Sequence, residues 1–203
     1  MKRITRKNEP DFWIKYKRSH PRELYSDLDK TVTGTEIRRY LRQYLLNSQN
    51  GLCAYCCRRI EMDNSLNEHI KPQLYYPDQS MIYENIIVSC KSVGTDVTCG
   101  NRKGHEYDEK LFVSPLEPDC EEKFIFYPNG QVEGSNEQGK YTCQILNLNA
   151  YELQRARRAQ YKVCADYHDS DMIHTYFLTP SEDGMLESFA DMIQYFYNRG
   201  GFV

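Results

Sequence analysis

An α+β fold stapled in its middle by a metal-binding cysteine cluster is what this sequence predicts, on three observations. Two strongly amphipathic helical stretches lie on either side of residues 53–110, which are irregular and dense in Cys, His, Asn and Gly. A hairpin pattern follows that middle, and a last helical stretch closes the chain. The organisation expected is an N-terminal segment and helix over 1–50, a compact metal-stapled core over 51–115, and a hairpin with C-terminal helices over 116–203.

In chain order, "TGTEIRRYLRQYLLNSQNG" reads as a helix. Thr33 and Glu36 make a capping-box pattern, and Ile37, Tyr40, Leu41, Tyr44 and Leu45 recur at helical spacing. Gly51 suits the stop, and Arg38, Arg39 and Arg42 fall mainly on the other face. "KFIFYPNGQVEG" reads as a hairpin, with Asn129-Gly130 supplying the positive φ angles of its turn. In "LNLNAYELQRARRAQYKVCADY", Asn149 and Glu152 are the cap pair, and Leu153, Ala156, Gln160, Val163 and Tyr167 trace one side. Its Arg155, Arg157, Arg158 and Lys162 form either a phosphate grip or a solvated face. In "SEDGMLESFADMIQYFYNRG", Leu186, Phe189, Ala190, Ile193 and Phe196 form an apolar stripe ended by Gly200, which is core or a docking surface.

With 203 residues, the chain can build one good core, or a core plus a small module. No stretch approaches the ~18 apolar residues of a membrane span. The start "MKRITRKNEPDFW" lacks the apolar run of a secretory signal, so a cytoplasmic location is expected, where thiols stay reduced. Eight cysteines then point to metal binding or plain burial rather than disulfides. The net charge of -3 is uneven: 12 basic against 6 acidic residues in 1–50, 7 against 9 in 51–110, and 7 against 14 in 111–203. That basic first quarter is compatible with a phosphate-facing surface and equally with a solvated one.

Cys53-x-x-Cys56 and the wider pair Cys90 and Cys99 together match the sulfur-rich, four-ligand preference of Zn²⁺; buried free thiols are the alternative. Gly94 and Gly100 make the second loop pliable. Cys57 follows a ligand directly and is expected to point away, and Cys120, Cys143 and Cys164 are expected to be buried. A structural zinc knuckle has no need of what lies between the pairs. Glu68-His69 is followed sixteen positions later by Asn85, and sixteen after that by Asn101. A carboxylate can hold a hard divalent cation, and a neutral imidazole can take a proton from water near pH 7.

Taken together, Cys-x-x-Cys, Glu-His-Ile-x-Pro, Asn, and a second pair ending Cys-Gly-Asn-x-Lys-Gly resemble the HNH endonucleases of ββα-metal fold. The match is closest to the PtuB branch found in Septu-type and retron-linked phage-defence operons. "KNEPDFWIKYKR", "NGLCAYC", "SPLEPDCEEKFIFYPNGQVEG" and "ILNLNAYELQRARR" extend the likeness over most of residues 1–160.

The resemblance implies His69 as general base and Glu68 as a ligand of catalytic Mg²⁺ or Mn²⁺. It implies Asn85 as the brace of the His loop, and Lys103 and Arg102 near the substrate phosphates. Structural Zn²⁺ would sit on Cys53, Cys56, Cys90 and Cys99. In many HNH proteins the third residue follows the last Cys directly; here that place is Gly100. Asn101 is therefore the expected second catalytic-metal ligand, with His105 as the fallback. The implied partners are a nucleic-acid substrate (DNA, or RNA such as tRNA) and a PtuA-like ABC-type ATPase, with a retron reverse transcriptase and its msDNA as further components and no membrane. No P-loop pattern occurs, so nucleotide control would come from the partner, with residues 111–203 expected to carry much of that contact. Two other classes remain open: a zinc-stabilised nucleic-acid-binding module without chemistry, and a metal-independent adaptor.

Overall fold

Helix α1, Asp11–Ser19, begins directly after Pro10 and buries Trp13 and Tyr16. No periodic signal marks it in the sequence. The computed structural model describes residues 1–92, 96–167 and 169–202. A 3₁₀ turn, Tyr25–Lys30, leads into α2, Val32–Ser48. The cap of α2 is Thr31, whose hydroxyl accepts from the Gly34 N–H at 2.9 Å, two residues ahead of the expected Thr33. Packing fixes that start: a Cβ on Gly34 would lie 2.3 Å from the Leu28 carbonyl oxygen, so only glycine lets the turn press against the helix. Gly34→Ala should therefore cost roughly 1–3 kcal/mol of stability, measured by urea unfolding. Gly51 ends the helix as expected, with φ +70 and its N–H on the Leu46 carbonyl. Leu41, Leu45 and Leu46 are buried, while Tyr40 turns to solvent.

Strands β1, Ser65–His69, and β2, Ile86–Cys90, pair antiparallel, with Ser65 opposite Cys90 and His69 opposite Ile86. Helix α3, Cys99–Lys103, follows. Strand, strand and helix are thus consecutive across the segment bearing the Glu-His pair. Gly94 lies outside the described residues.

The second sheet pairs β3, Phe124–Phe126, with β4, Val132–Gly134. Its turn differs from the expected two-residue type. Of Asn129 and Gly130, only Gly130 takes a positive φ, and Tyr127 N–H bonds the Gln131 carbonyl across a three-residue loop. Helix α4, Glu137–Ile145, is capped by Asn136, whose Oδ1 accepts from the Gly139 N–H at 2.9 Å.

Helix α5, Tyr151–Ala165, lacks the expected Asn149 cap. Asn149 instead grips β4, accepting from Val132 N–H at 2.9 Å and donating to its carbonyl at 2.7 Å. The buried face of α5 runs Leu153, Arg157, Tyr161 and Cys164, and Val163 is exposed. Arg157 is therefore no phosphate grip. Its guanidinium is buried and donates to the carbonyls of Leu148 at 2.7 Å and Gly130 at 3.3 Å.

Helix α6, Ser170–Ile173, runs on into a π turn, His174–Leu178. The last helix, α7, spans only Ala190–Tyr197. The residues before it cannot join the helix, because Ser181 N–H bonds the Met185 carbonyl and Phe189 adopts φ 63. This segment seals the cysteine loop, with Leu186 N–H on Asn50 O and Phe189 N–H on Cys57 O. Leu186, Phe189, Ala190 and Ile193 are buried and Phe196 is partly buried against the same core, so the stripe is core rather than a docking surface. One continuous hydrophobic cluster runs from Met1 and Trp13 through the β1–β2 pair to Ile193, so all three expected segments contribute to it. Among the described residues no helix is long and apolar enough to cross a membrane.

Candidate functional site

Cys53 and Cys56 sit in a tight loop in which Cys53 N–H bonds the Arg58 carbonyl and Cys57 N–H returns to Cys53 O. Ala54 N–H reaches the Val88 carbonyl on β2, bringing this loop beside Cys90. Cys99 opens α3 with φ 56. The four Sγ atoms consequently lie within 4.8 Å of one another, all buried, and no other group of three or more His, Cys, Asp or Glu ligand atoms is so placed among the described residues. Cys56 Sγ and Cys90 Sγ are 3.9 Å apart. A tetrahedron with ~2.3 Å metal–sulfur bonds has edges of about 3.8 Å, so the donor set fits Zn²⁺. Burial raises the Cys53 thiol well above its ordinary value, as expected for a crowded apolar pocket in which anionic sulfurs need a cation. Cys57 is buried with its sulfur turned to the Lys2 N–H, away from the cluster. Cys120 and Cys164 are buried as expected, and Cys143 only partly.

Glu68 and His69 end β1. Successive strand residues face opposite sides, and their side-chain partners differ accordingly. Glu68 faces α3: its Oε1 accepts from Lys103 Nζ at 2.8 Å and from the Tyr55 hydroxyl at 3.3 Å. Burial raises the Glu68 pKa, with the Lys103 charge, the hydrogen bonds from Lys103 and Tyr55, and the His105 charge acting the other way.

His69 faces the 3₁₀ turn. Its Nε2 is 2.8 Å from the Ser80 carbonyl, and its ring meets the Tyr25 ring edge-on at 4.6 Å. A carbonyl only accepts, which assigns the proton to Nε2 and leaves Nδ1 with the free lone pair. Tyr25 is held in turn by its N–H on Ser80 Oγ at 3.3 Å and by the Arg38 guanidinium 4.9 Å from its ring centre. Asn67, two residues before His69 and on the same face, donates to the Tyr25 hydroxyl and to the Arg38 carbonyl. Sequence reasoning missed Tyr25, Tyr55 and Ser80. Only Tyr55, lying between two cysteine ligands, had any positional signal.

Burial pushes the His69 imidazole down to about 4. Between pH 6.5 and 4 the unfolded chain therefore binds a proton that the folded chain refuses, and stability falls as pH falls through that window. The loss is at most about 3 kcal/mol. Thermal melts from pH 7 to 4 should show a shallower acid slope for His69→Gln than for wild type.

Asn85 Oδ1 accepts from Lys71 N–H at 2.7 Å, and its Nδ2 donates to the carbonyls of Lys71 and Gln79, each at 3.1 Å. It thus ties down both ends of the loop that leaves His69.

The α3 residues depart from expectation. Asn101 is exposed, and its Oδ1 accepts from Ser92 N–H at 3.0 Å, a contact that holds the neighbouring loop. The residues of α3 that meet Glu68 are Gly100 and Lys103, one helical turn apart; Asn101 lies off that face. His105 is exposed, edge-on to Tyr75 at 6.3 Å, and near enough to Glu68 for its charge to favour the carboxylate. Lys103 does not face solvent phosphates. It is 1% exposed and donates to Glu68 and, at 2.9 Å, to the His69 carbonyl. Arg102 is exposed and paired with Glu106 at 3.1 Å.

The site thus comprises a buried four-thiol cluster beside an antiparallel strand pair and a short helix, with a Glu-His step at the end of the first strand. No family profile matches the chain. Three curated proteins are similar to it. The candidate HNH endonuclease of retron Vc95 from Vibrio cholerae is 30% identical over 135 residues, covering 61% of this chain and 64% of that protein. Septu protein PtuB from Bacillus thuringiensis is 30% identical over 113 residues, covering 54% and 41%. The candidate HNH endonuclease of retron Ec83 from Escherichia coli is 23% identical, covering 88% and 87%. The chain therefore spans less than two thirds of the Vibrio and Bacillus relatives. By sequence it is similar to proteins named as HNH endonucleases of retrons and as Septu PtuB.

Proposed function

We propose that this chain is a divalent-metal-dependent HNH endonuclease that hydrolyses phosphodiester bonds as the effector of a phage-defence complex, working with an ABC-type ATPase. The observation that supports this reading most is the placement of Glu68 and His69 at the end of β1, with Asn85 bracing the loop beyond and the cysteine cluster fixing β2 to α3. A knuckle that only binds nucleic acid has no use for a neutral imidazole whose tautomer is set by a buried carbonyl.

His69 Nδ1 accepts the proton of the attacking water; burial keeps the imidazole neutral, and the Ser80 carbonyl and Tyr25 ring keep it oriented. Asn85 holds the loop through the Lys71 peptide, so the His69 backbone does not drift. Glu68 through Oε2, with His105, would hold Mg²⁺ or Mn²⁺; His105 replaces Asn101 because Asn101 is committed to Ser92. Such a cation, when bound, neutralises charge developing on the phosphate and the leaving oxygen. The four thiolates hold Zn²⁺ as a staple for an element too small to carry its own core. The acidic 111–203 portion supplies the ATPase contact through its exposed surface, since its apolar stripe is buried.

Incubating the purified protein, alone and with its operon neighbours, with plasmid DNA and total RNA tests this. Cleavage that requires Mg²⁺ and stops with chelator is expected, and the substrate cut separates DNA from RNA. Binding of both without cleavage under every combination would favour the zinc-stabilised binding module.

A further inference from the structure

Lys103 is a buried cation at the end of a helix of five residues. Its ammonium has two acceptors, Glu68 Oε1 at 2.8 Å and the His69 carbonyl at 2.9 Å, and so touches both residues of the Glu-His step. The other carboxylate oxygen is treated differently. A Cβ at position 100 would fall 2.6 Å from Glu68 Oε2 and 2.7 Å from Ser89 Oγ, so any side chain there would collide with both. Glycine at the place where the HNH resemblance expects a ligand-bearing side chain thus keeps Oε2 clear. One residue of α3 occupies Oε1; another, one turn earlier, leaves Oε2 open.

We infer that Lys103 is a positioning residue for the cation site: it clamps Glu68 so that only Oε2 faces a divalent cation, and its fixed charge keeps that cation weakly held. This rests on the nuclease reading above. The physical argument is like-charge repulsion at short range. A divalent ion on Oε2 and the ammonium on Oε1 share one carboxylate, and among the described residues no cluster of three or more His, Cys, Asp or Glu ligand atoms includes Glu68 to offset them. A lysine serving only as helix packing would leave cleavage per bound metal unchanged on removal, whereas freeing a Glu68 that it positions lowers that rate.

The test is a Mn²⁺ titration of the full-length, zinc-loaded protein, with free Mn²⁺ read by electron paramagnetic resonance. Wild type should bind weakly, with Kd roughly 0.1–1 mM. Lys103→Met and Lys103→Gln should each bind at least about tenfold tighter, and adding Glu68→Gln in either background should remove the gain. Cleavage per bound metal should fall in the Lys103 variants, because Glu68 is no longer held. Micromolar Mn²⁺ binding by wild type would overturn the inference whether or not the variants fold, and so would wild-type affinity in folded, zinc-containing variants. Mn²⁺ binding that is indifferent to Glu68→Gln in every background is a separate result: the cation would not sit on Glu68, and the proposed nuclease site would fail with it.

Discussion

Cys53→Ser or Cys99→Ser should yield protein that is insoluble or unfolded at ordinary temperatures, while wild type carries about one zinc per chain by elemental analysis. The four sulfurs are buried and within 4.8 Å of one another. Without a cation such a cluster holds either weakly hydrogen-bonded thiols or mutually repelling thiolates. Structural zinc contributes on the order of 10–16 kcal/mol, as much as a whole domain's ~5–15 kcal/mol of net stability. The damage would spread. The Cys53 loop is hydrogen-bonded to β2 through Ala54 and Val88, and the Phe189 and Leu186 amides close over it. Folded, soluble wild type containing no zinc would refute this.

His69→Ala should abolish cleavage, by a factor of ~10²–10⁴, while retaining zinc and a cooperative melt. The imidazole is 5% exposed, so truncation leaves a small void beside Tyr25 and some loss of stability, but none of its contacts reaches the cysteine cluster. The comparison with α3 sharpens the prediction. Asn101→Ala should cleave close to the wild-type rate, because its side chain serves Ser92. His105→Ala should lose activity that excess Mn²⁺ partly restores, since what is missing there is a ligand. His69→Ala should not respond to metal.

The sequence made the chemistry-bearing parts legible because they rest on short spacings. The Cys-x-x-Cys turn, the Glu-His step and Gly51 after α2 depend on local geometry alone. The second cysteine pair, nine positions apart, converges only because β2 ends at Cys90 and α3 begins at Cys99. What stayed hidden depends on packing. Thr31 displaces Thr33 as the cap because Gly34 must meet Leu28. Asn149 does not cap α5 because β4 offers it both a donor and an acceptor, and Asp96 accepts from the Glu152 N–H instead. α7 begins at Ala190 because the Ser181–Met185 turn and Phe189 are committed to the cysteine loop. The role of α3 could not be read from spacing, because a five-residue helix offers no periodicity. Which of Gly100, Asn101 and Lys103 faces Glu68 is decided by how Cys99 enters the metal cluster. Tyr25 is forty-four positions from His69, and nothing in the sequence joins them.

The most direct test of the central claim is the cleavage rate of zinc-loaded wild type and His69→Ala on one common substrate across a Mn²⁺ titration, with the operon neighbours present. Wild type is expected to rise with Mn²⁺ and saturate, while His69→Ala stays flat at the uncatalysed baseline with its zinc intact. His69→Ala cleaving at the wild-type rate would contradict the account and leave a zinc-stapled binding module in its place.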